Sequence, residues 1–157
     1  MLQALDLPPV AIPNGLAFSP DGRRIYWCDS RQAQVRTGDY DPDTGRIGQA
    51  RVFAELPEGE PDGATVDAHG HYWCALWGQG QVLGFTPEGQ VMAQVRLPAS
   101  QPSCVAFGGP DLQTLYITSA RVGLDAEQLE REPTAGALHA VDLPWAGLPE
   151  PVYGGAR

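Results

Sequence analysis

The sequence predicts an all-β fold of the propeller type, and three observations carry that prediction. One short phrase is used three times, as Pro13-Asn14-Gly15-Leu16-Ala17-Phe18, Pro61-Asp62-Gly63-Ala64-Thr65-Val66 and Pro102-Ser103-Cys104-Val105-Ala106-Phe107. Each copy runs proline, small polar residue, small residue, then an apolar stretch suited to a strand, and each returns through a turn as a second strand. The copies stand roughly 40 to 50 residues apart, a period that marks stacked supersecondary units such as propeller blades. In addition, 19 glycines and 15 prolines in 157 residues fit many short strands joined by tight turns. A β-sandwich is the alternative, and the unit spacing argues against it.

The elements follow in order. Residues 2–11 carry apolar side chains and then Pro8-Pro9, so a short leading strand is expected there. The first unit covers about 15–54. Leu16 to Phe18 is its innermost strand, Ser19-Pro20-Asp21-Gly22 a turn, and Arg24 to Cys28 the second strand. Gln34 to Tyr40 and Ala50 to Ala54 complete it, across the turn Asp41-Pro42-Asp43-Thr44-Gly45. An acidic, proline-rich connection, 55–62, leads to the second unit at about 63–97. Its strands include Tyr72-Trp73-Cys74, Gln81 to Phe85 and Val91 to Leu97, with turns at His69-Gly70 and Thr86-Pro87-Glu88-Gly89. The third unit covers about 103–153. It turns at Gly108-Gly109-Pro110-Asp111 and returns as Leu115 to Thr118. Asp125 to Arg131 is rich in helix formers and Pro133 limits it, so one or two helical turns are inserted. Gly136 to Val141 resumes as strand, and Pro151-Val152-Tyr153 closes the unit. No linker divides the units, so 1–157 reads as a single partial propeller domain of about three four-stranded blades.

Charge and composition narrow the function. A net charge of −9 repels phosphate backbones, which excludes nucleic acid as a partner. No apolar run is long enough to span a membrane, and the first residues lack the basic start and cleavage site of a signal peptide. A cytoplasmic location is expected. Cys28, Cys74 and Cys104 form no CxxC pair and sit in apolar strand patterns, so they read as buried core thiols.

Beyond these patterns, Ile12-Pro13-Asn14-Gly15-Leu16-Ala17-Phe18-Ser19-Pro20-Asp21-Gly22, followed by Asp29-Ser30, resembles the gluconolactonase / regucalcin (senescence marker protein) family. So does Pro61 to Asp67 with Gly70 and Trp73 behind it, and so do Phe107-Gly108-Gly109-Pro110, Leu115 to Ala120 and the insert from Gly123 to Gly136. The resemblance runs from about residue 10 to 153 and covers the C-terminal half of the family pattern. It implies a six-bladed β-propeller, one divalent cation at the axis (Ca²⁺, Zn²⁺, Mn²⁺ or Mg²⁺) and hydrolysis of sugar lactones to aldonic acids. It implies Asn14 and Asp62 as metal ligands and Asp62 also as the general base. The family's third ligand, a glutamate from the first blade, has no counterpart here.

Those assignments are chemically coherent. A hard cation polarises an ester carbonyl and acidifies bound water, and a carboxylate with an amide oxygen is a typical partial ligand set. Asn-Gly and Asp-Gly are also common turn dipeptides, but both residues here directly precede innermost strands of neighbouring units. In a radial repeat, equivalent positions converge on the axis. Ser103 holds the third equivalent position, and Ser103 and Trp77 are candidate substrate-binding residues, each with packing as its ordinary reading. His69 and His71 flank Gly70 and read as exposed turn residues without a third ligand. Asp21 and Asp111 read as turn formers, Asp39, Asp41 and Asp43 as a β-turn run, and Glu55, Glu58 and Glu60 as a solvated loop.

Three blades do not close a ring. The open faces of the outer units predict a partner, either a second copy forming a homodimer or the absent N-terminal half. The alternative function is a non-catalytic truncated propeller that binds a cation or a protein.

Overall fold

The computed structural model describes residues 5, 7–56 and 58–150. The strands are β1 (Pro13–Phe18), β2 (Arg24–Asp29), β3 (Gln34–Asp39), β4 (Arg51–Glu55), β5 (Glu60–Val66), β6 (Tyr72–Trp77), β7 (Gln81–Phe85), β8 (Val91–Arg96), β9 (Pro102–Gly108), β10 (Thr114–Ser119) and β11 (Leu138–Asp142). One turn of 3-10 helix, Ser30–Gln32, follows β2, and one short helix, α1 (Ala126–Arg131), lies between β10 and β11. The strands form three antiparallel meanders, β1-β2-β3-β4, β5-β6-β7-β8 and β9-β10-β11. The first strand of each sheet packs on the first strand of the next, β1 on β5 and β5 on β9. The fold is all-β and of the propeller type, with the sheets set edge-inward like blades.

The middle sheet is the spine of the molecule because its central strand serves two cores. Side chains alternate across a strand with period two. Along β6, Tyr72, Cys74 and Leu76 pack with Tyr26, Cys28 and Val35 of the first sheet. The intervening Trp73 and Ala75 pack with Val105, Leu115 and Ile117 of the third. These five side chains of β6 are all buried. Full burial of each large one contributes about 1.5–3 kcal/mol. The outer sheets lack this double cover: Leu16 and Phe18 on the first and Tyr116 and Leu138 on the third are exposed.

The turns explain the shape of each unit. Gly22, Gly70 and Gly89 each donate a backbone N–H to the residue three positions earlier, Ser19, Asp67 and Thr86. All three glycines have positive φ, where a side chain would be strained. The third sheet uses Leu112 at φ +58° in the same slot, bonded back to Gly109, at a cost of roughly 1–2 kcal/mol. Asp125 caps α1 reciprocally with Gln128: the Gln128 N–H donates to Asp125 Oδ1 and the Asp125 N–H to Gln128 Oε1, at 2.8 and 2.9 Å. That helix stands where the sequence places the insert.

Some expectations change. Leu7–Ile12 is not strand; its chain is instead tied to Asp29, whose carboxylate accepts the Ala11 and Ile12 N–H groups. Residues 1–4 and 6 of the expected leading strand lie outside the described residues, as does the strand expected at 151–153. Cys104 is exposed rather than buried. Val105 turns into the core, so the alternation of β9 directs Cys104 the other way.

Candidate functional site

Each innermost strand carries a β-bulge at or next to its small polar residue, which lies inside the strand rather than directly before it. In β1, Asn14 pairs with Cys28 and Ala17 with Tyr26, which leaves Gly15 and Leu16 opposite the single Trp27. In β5, Pro61 pairs with Leu76 and Ala64 with Cys74, so Asp62 and Gly63 face Ala75 alone. In β9, Pro102 pairs with Ser119 and Cys104 with Thr118, and Ser103 has no partner. A bulge bends the strand and re-aims a side chain, and bulges are common beside functional sites. The proline before each polar residue fits this geometry, because a proline cannot donate to the ladder.

Glycine lets the inner strands come this close. A Cβ on Gly15 would lie 2.4 Å from Tyr72 Oη and 3.3 Å from the Asp62 carbonyl. One on Gly63 would lie 2.5 Å from Cys104 Sγ. The gap at Gly15 admits Tyr72, whose hydroxyl donates to the Gly15 carbonyl at 2.9 Å and ties the second sheet to the first. Burial holds the Tyr72 hydroxyl well above its ordinary pKa, so it remains a donor.

Asn14 is half-buried, and its Nδ2 donates to Ser30 Oγ at 3.1 Å. Ser30 Oγ in turn donates to the Pro61 carbonyl at 2.7 Å. Two hydrogen bonds therefore connect Asn14 to the peptide that enters Asp62. The Asp62 carboxyl is half-buried, and burial pushes its pKa up; the Gly63 N–H opposes the shift and the Glu60 charge adds to it. Among the described residues, no ion pair engages Asp62. An open cavity of about 670 Å³ lies beside this point, walled by Asn14, Gly15, Leu16, Trp27, Gly63 and Cys104, among others. A carboxylate partly withdrawn from water and without a cationic partner, with an amide at the equivalent place on the neighbouring inner strand, is a donor pair that fits a hard cation.

The other sequence candidates are engaged with partners of their own. Ser103 Oγ is 2.9 Å from Thr118 Oγ1 within its own sheet. Trp77 ends β6 opposite Glu60 and is half-buried. Neither lines the cavity beside Asn14. Glu60 reaches Arg31 at 3.4 Å on the surface. Asp41 organises its own turn, accepting from the Asp43 N–H and the Thr44 hydroxyl.

A second cluster comes from the turn before β6. The His69-x-His71 pair does have a third group beside it, which the sequence reading missed: ligand-capable atoms of Asp67, His69 and His71 lie within 4.8 Å of one another, so the trio could hold a metal ion. Asp67 is fully buried and accepts four bonds, from the N–H groups of His69 and His71, from Trp73 Nε1 and from His71 Nδ1. A cation there would draw on the two imidazoles, with Asp67 orienting His71.

Sequence reasoning also passed over Ser30 and Asp29 as builders of the site. Asp29 is the N-cap of the 3-10 turn that starts at Ser30, so an Asp-Ser pair closing an apolar strand was the available signal. Three backbone N–H groups, those of Ala11, Arg31 and Ile12, hold the Asp29 carboxyl below its ordinary pKa.

Fold and site together define a class: part of a β-propeller whose inner strands present amide and carboxylate groups at their bulges. The sequence profile of the SMP-30/gluconolactonase/LRE-like region matches residues 4–121. The chain belongs to that family. It is 42% identical over 149 residues to the L-arabinolactonase of Azospirillum brasilense, an alignment that covers 94% of this chain and 49% of the relative. It is 41% identical over 148 residues to the 6-deoxy-6-sulfogluconolactonase of Pseudomonas putida, covering 93% and 51%. The structure superposes on that of a calcium-binding protein, regucalcin, from Agrobacterium tumefaciens with a TM-score of 0.87 at 36% identity, covering 92% of this chain and 50% of that one. The chain spans about half the length of the curated relatives it matches. Among the described residues, no helix is long and apolar enough to cross a membrane.

Proposed function

We propose that this chain contributes the Asn14–Asp62 side of a divalent-cation centre that hydrolyses a sugar lactone to its aldonic acid. The single observation that carries the reading is the half-buried Asp62 carboxylate, without an ion pair among the described residues, whose preceding peptide is tied to Asn14 through Ser30. Relatives that align along nine-tenths of the chain are named lactonases, which supplies the substrate class. Asn14 would hold the cation through its amide oxygen and Asp62 through its carboxylate. When bound, the cation would polarise the lactone carbonyl and acidify water.

The chain's own groups would do the rest. An Asp62 carboxylate oxygen takes a proton from the attacking water, and its raised pKa makes it a stronger base than a solvated aspartate. The water oxygen adds to the carbonyl carbon, the ring C–O bond then breaks, and the proton held on Asp62 passes to the departing ring oxygen, which leaves as a hydroxyl. Ser103 and Trp77 would meet the sugar at the rim. A further ligand comes from blades that cover the open faces of the outer sheets, whether from more of the same polypeptide or from a second copy.

The test is a pH-stat assay on L-arabino-1,4-lactone and glucono-1,5-lactone with Mn²⁺, Ca²⁺, Zn²⁺ or Mg²⁺. Cation-dependent turnover that falls about 10²–10⁴-fold in Asp62→Asn supports the reading. Turnover indifferent to that substitution removes Asp62 from the chemistry. Cation binding without turnover favours a cation-binding module.

A further inference from the structure

Ser30 has a single hydroxyl hydrogen, and the structure shows where it goes. The Pro61 carbonyl can only accept, and it lies 2.7 Å from Ser30 Oγ, so the Ser30 hydrogen is committed to it. What remains on Ser30 Oγ is lone pairs. The Asn14 side chain 3.1 Å away must therefore present its NH₂, not its oxygen. Hydrogen counting alone fixes the amide orientation: Nδ2 toward Ser30 and Oδ1 turned away from it, free of that bond. Ser30 is itself fixed. It is 5% exposed, its N–H donates to the Ile12 carbonyl at 3.1 Å, and it opens a 3-10 turn capped by Asp29.

We infer that Ser30 is a positioning residue, which sets the Asn14 amide so that its oxygen faces the cation and locks that amide to the Pro61–Asp62 peptide. The inference rests on Asn14 and Asp62 as the cation's ligands. A ligand held in one orientation loses little freedom on binding, and partners of this outer kind are worth about 10–100-fold in metal affinity. The same hydroxyl joins the first sheet to the second, so both ligands are referred to one point.

The experiment has a metal-free arm and a metal arm. In the first, NMR of the uniformly labelled protein follows the Asn14 side-chain NH₂. The expected result is a contact between an Asn14 Hδ2 and the Ser30 β-protons that disappears, with narrowed shift dispersion of the NH₂ pair, in Ser30→Ala and returns in Ser30→Thr. An Asn14 amide whose order is unchanged by Ser30→Ala overturns the inference. In the second arm, Mn²⁺ alone is titrated by electron paramagnetic resonance. Ser30→Ala should weaken binding about 10–100-fold, Ser30→Thr should recover it, and the Asn14→Ala/Ser30→Ala double variant should match Asn14→Ala. If Asn14→Ala weakens Mn²⁺ binding and Ser30→Ala does not, the positioning role fails and the ligand reading stands. If Asn14→Ala leaves Mn²⁺ affinity unchanged, or the unaltered protein binds no Mn²⁺, the ligand reading itself fails and the inference with it. The recovery by Ser30→Thr separates orientation from a general loss of folding.

Discussion

Trp73 Nε1 donates to Asp67 Oδ2 at 3.0 Å in the interior, and this bond joins the turn before β6 to the core behind it. Asp67 also holds two backbone N–H groups and the ring of His71. Asp67→Ala strands these donors in a site closed to water. The expected loss is at least about 3 kcal/mol, seen as a lower urea midpoint. Asp67→Asn, which keeps one acceptor oxygen, should lose less. A midpoint unmoved by Asp67→Ala would mean that the bonds around Asp67 carry no stability.

Asp62 should act in the opposite sense. Its carboxyl is partly desolvated and its folded pKa is raised, so the ionised form is disfavoured by folding. Its contribution is most favourable below the unfolded pKa and declines as pH rises through the raised folded value. In metal-free protein at neutral pH, Asp62→Asn is expected to raise the thermal midpoint. A lower midpoint would show that Asp62 is a structural group.

Acid sensitivity should trace to Asp29. Its folded pKa is lowered by N–H donors from the chain that enters β1. That stabilisation is present above the unfolded value near 3.9 and is lost as pH falls toward the lower folded value. Between pH 5 and pH 2, roughly the window this linkage spans, the unaltered protein should lose more stability than Asp29→Asn. Equal losses in circular dichroism melts would place the acid response elsewhere.

The three thiols should separate cleanly. Burial raises the Cys28 thiol to about 12 and the Cys74 thiol further, whereas Cys104 is exposed beside the cavity. Only the thiolate reacts with a disulfide reagent. One equivalent should react promptly with Ellman's reagent in the native protein, and all three in denaturant. Two or more prompt equivalents would contradict the packing of β2 and β6.

Much of the fold was readable because it follows short-range rules. Ser19-Pro20-Asp21-Gly22 and Thr86-Pro87-Glu88-Gly89 mark turns, and the short apolar runs of β2, β6 and β7 have no competing helical pattern. Asn14 and Asp62 could be singled out because the repeat aligns them. What was hidden depends on distance along the chain. Ser30 and Pro61 are 31 residues apart, and Tyr72 and Gly15 are 57 apart, so no local pattern announces those bonds. The exposure of Cys104 was missed because a bulge at Ser103 decides which face the next residue takes. Asp67 went unnoticed beside the two histidines because only the folded turn brings its carboxylate under both.

The bulges have a consequence for how such a chain can diversify. At Asp62 and Ser103 the side chain sits inside the interruption, and at Asn14 at its edge, while Val66 and Val105 further along β5 and β9 fill the core. Substitution at the two unpaired positions, Asp62 and Ser103, therefore leaves the register of the paired residues on either side in place. Asparagine, aspartate and serine are three spellings at one repeated position, and a lineage that respells one of them changes the chemical group offered there.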